Sequence, residues 1–349
     1  MKQNRYIPVI DYIKAFAMCM VVTTHFFVYD EKDFALFIYV IQVGMPLFMF
    51  ITSYNYAMSN VRHGRADLRS LYAPKLLGKQ FGAILPAYVL MFAVEWACDM
   101  FMGQRFSPGE VLYAFVSGGL NGGSHGGYFF CVYWQFLLLA PLLYVLLRRY
   151  PRQTLLAAFV LDVLYEWSVG VFDIPRDFNR LLFIRYLFIT AFGMYFYLYR
   201  SRVRLGLVAV GAVLSLTYIT ALEYFGLDWP LTTYWLNTNV YASFYFIAIA
   251  VFAFHFFENK QLPSRLHSLV RTVGISTWHI YLFQMLFFRL GWSAPIADWP
   301  LFWRILVGDA FCLAMGCLWS ALERRVRGKM KKWRNHEKSM KKCLRFGVS

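Results

Sequence analysis

Apolar residues in this chain gather into ten long runs separated by short polar stretches, at about 9–29, 34–58, 76–98, 128–147, 154–171, 181–199, 205–225, 240–257, 273–290 and 302–322. Each comes close to the roughly 20 residues that a helix needs to cross a bilayer. Lipid offers no partners to backbone polar groups, so a helix, which pairs them internally, is the form such runs take there. The pattern predicts an all-α, polytopic integral membrane protein of about ten transmembrane helices over residues 1–322. The remainder, 323–349, is a polar, basic tail with no apolar core of its own.

Charge orients these helices. Of the 35 Lys and Arg residues, 27 fall in the segments that face one side of the predicted helices, counting Lys79 at the start of the third run with them, four in those that face the other, and the remaining four within the spans. Basic residues mark the cytoplasmic side. Both termini are therefore expected in the cytoplasm, and the net charge of +16 reflects topology and an anionic lipid surface rather than a nucleic-acid partner. The first run is too long for a signal peptide and no small-residue cleavage site follows it, so it reads as a retained helix. Six scattered cysteines, Cys343 of the tail among them, behave as small hydrophobes and imply no disulfide framework. No pair of histidines shows metal-ligand spacing on one helix, and no metal is expected.

The first run, Val9 to Tyr29 (VIDYIKAFAMCMVVTTHFFVY), carries the candidate chemistry. Charged groups at membrane depth cost about 2.5 to 3.5 kcal/mol each on insertion scales, so Asp11 and Lys14 need a reason. At about 100° per residue, Lys14 and His25 return to nearly one helix face, roughly 16 Å apart along the axis. Asp11 lies one turn before Lys14 on that face, placed to neutralise it and keep it oriented. One stripe thus holds a carboxylate and a cation toward the inner end and a titratable imidazole toward the outer end.

A basic residue, ten intervening residues and a histidine in the first helix make this run resemble the opening motif of the membrane acyltransferase-3 family, with Lys14 where arginine is usual. Further stretches are similar to that family. GMPLFMFITSYNY at the end of the second run resembles its Pro-Leu-Phe-Phe-x-Ile-Ser-Gly segment, and AILPAY (Ala83 to Tyr88) its Ile-Leu-Pro-Pro-Tyr. The fourth run keeps the pattern of Gln135 and Pro141, and Phe192 to Met194 closes the sixth. The ninth, VGISTWHIYLFQ, keeps Ser276 and Tyr281, with Gln284 in place of a histidine.

The resemblance implies O-acylation of cell-surface glycans at the cell (plasma) membrane. Acyl-CoA, most simply acetyl-CoA, would be the donor substrate, with no tightly bound cofactor. The acceptor would be a hydroxyl of an extracytoplasmic or lipid-linked glycan. An acyl transfer needs a base for the hydroxyl proton, an aligned donor and stabilisation of the oxyanion. His25 is the expected base, since an imidazole titrates near neutrality. Lys14, with Asp11, would steady the donor. Arg69, Lys75 and Lys79, in the basic inner loop before the third run, are candidates for the coenzyme's phosphates; topology-setting charge explains them equally well. Ser53, Asn55, His125, Gln135, Ser276, Tyr281 and Gln284 are candidate substrate-lining residues. For Ser53 and Asn55, helix-to-helix hydrogen bonding is the competing explanation.

Other features have plainer expectations. Glu166 and Arg185 lie at equal depth in adjacent predicted helices and are expected to pair. Asp162, one turn from Glu166, does not make a glycosidase, whose carboxylates flank a sugar from separate elements. His279 sits on a different face from Gln284 and does not replace the missing histidine. Trp229, Trp235, Trp292, Trp299 and Trp303 fall at outer ends of runs, where aromatic belts anchor helices. A glycan or lipid-linked-sugar transporter is the second functional class compatible with the chain, though no paired broken helices favour it. A family member that binds without turnover is the third. The sequence leaves open a homodimer.

Overall fold

The computed structural model describes residues 6–27, 31, 37–119, 127–227 and 239–346, with side chains as far as Met330. Its regular structure is helical, with no strand among the described residues. The helices are α1 (Pro8–Thr24), α2 (Phe37–Val40), α3 (Gly44–Arg62), α4 (Leu68–Leu71), α5 (Pro74–Phe101), α6 (Pro108–Ser117) and α7 (Tyr128–Arg149). They continue with α8 (Pro151–Val171), α9 (Arg176–Asn179), α10 (Leu187–Tyr199), α11 (Leu205–Phe225), α12 (Ser243–Phe257), α13 (Ser264–Arg289) and α14 (Leu301–Phe346). Proline opens α1, α5, α6 and α8, where its missing N–H costs nothing.

Each of the ten predicted runs is occupied by helix. Six segments are long and apolar enough to cross a membrane: Phe37–Arg62, Leu68–Phe101, Tyr128–Arg149, Pro151–Val171, Leu205–Phe225 and Leu301–Met330. The protein is therefore an all-α polytopic membrane protein. The other four runs hold α1, α10, α12 and α13, which are shorter or more polar. The stretch between the third and fourth runs contains α6, opened by a Ser107/Glu110 capping box. Helix α14 passes through residue 323 without a break, so the basic tail begins as a continuation of the last apolar helix.

The centre of the bundle is α1, packed against α3, α13, α14 and α12. Eleven of its 17 residues are buried. At the other extreme, α11 buries only Ser215 and Ile219 and offers the rest of its apolar surface outward, as a lipid-facing helix does. Small residues let the central helices approach closely. A Cβ on Gly274 of α13 would stand 2.6 Å from the Asp11 carbonyl oxygen of α1. One on Gly193 of α10 would overlap Ser53 of α3.

Candidate active site

Helix α1 ends earlier than its apolar run. Thr24 is its last residue, its hydroxyl donating back to the Met20 carbonyl at 2.8 Å, and His25 is the C-cap. The helix is about 26 Å long at 1.5 Å per residue, and His25 stands at its outer end. "Outer" and "inner" here follow the charge pattern, which puts the N-terminus of α1 on the basic side. Lys14, Met18, Val21 and His25 follow one another at helical spacing along one stripe of α1, as expected, and Lys14 and His25 line two adjoining cavities on it.

The larger cavity, about 390 Å³, is lined by α1, α3, α5, α7 and α13. Its inner half is polar, with Lys14 of α1, Asn55, Ser59 and Asn60 of α3 and Gln80 of α5. Asn55, Ser59 and Thr52 recur at helical spacing, so one stripe of α3 supplies this wall. Asn60 accepts a hydrogen bond from Arg65 Nη1 at 3.0 Å, which ties a guanidinium to this end. The outer half is aromatic: Phe129, Tyr133, Phe136, Trp278 and Tyr281. Trp278 Nε1 donates to the Ile84 carbonyl at 3.2 Å and joins α13 to α5.

The smaller cavity, about 80 Å³, holds His25 with Thr24, Gln42 and Tyr128. Val21, Met45 and Tyr281 line both cavities and form the wall between them. Around His25 the packing is close. Its ring lies against Phe288, centroids 5.5 Å apart. Two residues earlier, Thr23 Oγ1 donates to Asp309 Oδ2 of α14 at 2.5 Å. One residue later, Phe26 fills a notch at Gly308, where a Cβ would overlap the ring, and packs edge-on to Phe288 at 4.9 Å. Adjacent residues of α14 thus grip the chain on both sides of His25.

Asp11 does not take the partner that its spacing implied. Its Oδ2 accepts from the Tyr6 hydroxyl at 2.5 Å, and its influence on Lys14 is through space. Tyr6, two residues before the helix begins, meets the carboxylate in its first turn. Asn55 and Tyr281 line cavity walls, whereas several other candidates lie outside both cavities. Ser53 is buried against Gly193 and donates to the Phe50 carbonyl at 2.8 Å. Gln135 holds the lead-in to α10, donating to Leu181 O at 2.6 Å and accepting from the Phe183 N–H at 3.0 Å. Ser276 sits beside Cys317 in the α13 and α14 contact, and Gln284 is fully buried in α13. Arg69, Lys75 and Lys79 are exposed and line neither cavity. His125 lies outside the described residues, as do Trp229 and Trp235.

Charges elsewhere in the spans are structural. Arg289 bridges α13 to α5 through Asp99 at 2.8 Å and Glu95 at 3.4 Å. Arg304 pairs with Glu31, and His279 with Glu323, which also meets Arg327. Asp162 accepts from the Phe188 N–H at 2.9 Å and lies in the field of both Glu166 and Arg185. Among the described residues, no three His, Cys, Asp or Glu side chains gather closely enough to hold a metal ion. The sequence reading missed Ser59, Asn60, Gln80, Gln42, Asp309 and the aromatic roof. The α3 stripe was legible from its spacing; the contacts from α13 and α14 required the fold.

Residues 7–319 match a family model described as an acyltransferase domain, the acyltransferase-3 family, from just before α1 to Trp319 of α14. The chain belongs to that family. No curated protein and no solved structure matches it. The protein is a membrane acyltransferase, and within the acyltransferase-3 domain both cavities and the grip on His25 are contained.

Proposed function

We propose that this acyltransferase moves a short acyl group, most simply acetyl, from cytoplasmic acyl-CoA to a hydroxyl of an extracytoplasmic or lipid-linked glycan at the plasma membrane, with His25 as the base. One observation carries the reading: a cation-bearing inner cavity and an imidazole-bearing outer cavity adjoin through a single apolar wall. Lys14, Asn55 and Ser59 give the inner cavity the polarity that suits the amides of a pantetheine arm. The aromatic half suits its thioester end.

In the proposed reaction the neutral His25 imidazole takes the acceptor hydroxyl's proton as its oxygen attacks the thioester carbonyl carbon. The tetrahedral oxyanion is met by donors of the outer cavity, for which Gln42, Tyr128 and Tyr281 have the right groups. The C–S bond then breaks, and the departing thiolate takes the proton back from the imidazolium. An ester and free CoA result, and His25 is restored.

The test is mass spectrometry of alkali-labile acyl groups on surface and lipid-linked glycans from cells with the intact protein, His25→Ala, or no copy, at matched membrane abundance. Acyl mass present with the intact protein and absent from the other two is the expected result. A His25→Ala variant that acylates like the intact protein removes His25 from the chemistry. Unacylated glycans in all three would sink the glycan acceptor.

A further inference from the structure

The wall between the two cavities raises a question of size. Val21, Met45 and Tyr281 come from α1, α3 and α13; Val21 and Tyr281 are buried, and Met45 is half-buried on a closely held stretch of backbone. Gly44, next to Met45, brings α3 so close to α1 that a Cβ there would stand 2.7 Å from Val21 Cγ2 and from the Ala17 carbonyl oxygen. Tyr281 is buried, edge-on to Phe129 at 5.8 Å and stacked on Trp278 at 5.5 Å. Beyond them the His25 cavity offers about 80 Å³, against about 390 Å³ on the Lys14 side. The chamber beside His25 thus has about a fifth of the volume on the Lys14 side.

We infer that Val21, Met45 and Tyr281 form a neck that, with the small chamber behind it, restricts the donor to unbranched acyl groups of two or three carbons. The inference rests on the acyl-CoA reading above and adds the residues that set its acyl specificity. A donor reaching His25 from the larger cavity brings its acyl end first. The carbonyl carbon must come beside the imidazole, so every further carbon of the chain has to share the small chamber with the acceptor hydroxyl. A two-carbon group adds a single methyl there. A four-carbon chain brings two more methylenes against Val21 and Met45, which line both sides of the passage. In apolar pockets one methylene changes kcat/KM by about 10- to 200-fold, enough for a gauge of this kind.

The experiment uses membranes from cells making the full chain, supplied in turn with acetyl-, propionyl-, butyryl- and hexanoyl-CoA. Free CoA thiol is measured above membranes lacking the protein, and the mass of acyl added to the membrane glycans is read alongside. The intact protein should use acetyl-CoA at least tenfold faster than butyryl-CoA. Met45→Ala and, separately, Val21→Ala should lower that ratio about tenfold, and Met45→Phe should depress propionyl transfer more than acetyl transfer. Because each ratio is taken within one preparation, reduced abundance of a variant does not affect it. An intact protein that uses hexanoyl-CoA as fast as acetyl-CoA, or a ratio unmoved in both alanine variants, overturns the gauge while leaving the acyltransferase reading standing. An intact protein that consumes none of the four donors overturns both.

Discussion

The two cavities are built differently, and the difference follows what each would have to do. The inner one is walled by half-buried polar side chains, Lys14, Asn55, Ser59 and Gln80, whose ends can turn to suit a long, flexible ligand. The outer one is set between close backbone approaches. Gly44 meets Val21, Gly308 receives Phe26, and Asp309 holds Thr23. Positioning matters most where bonds change, because a misplacement of about 1 Å can cost 100-fold in rate. Disturbing the outer cavity should therefore act on kcat, and disturbing the inner one on KM.

The largest separation is expected at Gly308. Gly308→Ala puts a methyl group where the Phe26 ring lies, one residue from His25. Acyl transfer should fall about 100-fold in kcat with KM for the donor nearly unchanged. Pairing it with Phe26→Leu, which vacates the notch, should recover part of the rate. If the double variant is no faster than the single one, the damage is not transmitted through Phe26.

Asp309 tests the same side of the comparison through a hydrogen bond. Asp309→Leu leaves Thr23 Oγ1 without its acceptor, whereas Asp309→Asn keeps an oxygen for it. A tenfold loss of kcat in the leucine variant, restored largely by asparagine, is expected from a positioning contact of roughly 1.5 kcal/mol. Equal losses in both would mean that the carboxylate's charge matters, and not its hold on Thr23.

How much of this was legible beforehand depends on what each residue answers to. Apolar run length dictates helices in lipid, so all ten runs became helical. Lys14 and His25 could be singled out because a charged or titratable group in an apolar run needs a reason. Their common stripe could be read from the spacing; that it opens onto two cavities divided at Val21, Met45 and Tyr281 could not, because two of those residues come from other helices. Ser53 and Gln135 show the converse. Both fit a motif, yet Ser53 answers to the close approach of Gly193 and Gln135 to the backbone ahead of α10. A motif records that a residue type is needed at a position, and only the neighbours from other helices tell whether packing or chemistry needs it. Asp309, a carboxylate in the tenth apolar run, carries that same signal, but its partner Thr23 nearly 300 residues away could not be read, and Gly308 carries no local signal.

On the inner side the effects should be smaller and of the other kind. Lys14 lines the cavity while the Asp11 carboxylate is hydrogen-bonded by Tyr6, so its amino group faces the space a donor would fill. Lys14→Met should raise KM for acyl-CoA about tenfold and change kcat less than threefold, the pattern of binding lost equally from ground and transition states. A drop in kcat at unchanged KM would instead assign Lys14 to the reacting end.

The smallest effect is expected from the exposed bases at the start of α5. Lys75 and Lys79 line neither cavity, so they can act on a polyanionic donor only through their field. That field reaches about 10 Å at 0.1 M ionic strength and about 3 Å at 1 M. The double variant Lys75→Gln/Lys79→Gln should therefore raise KM about twofold at low salt and leave it unchanged near 1 M, with kcat constant throughout. A larger effect that persists at high salt would mean that these lysines touch the coenzyme directly. The donor would then lie across the face of α5, and the polar mouth formed by Asn60 and Arg65 would not be its only foothold.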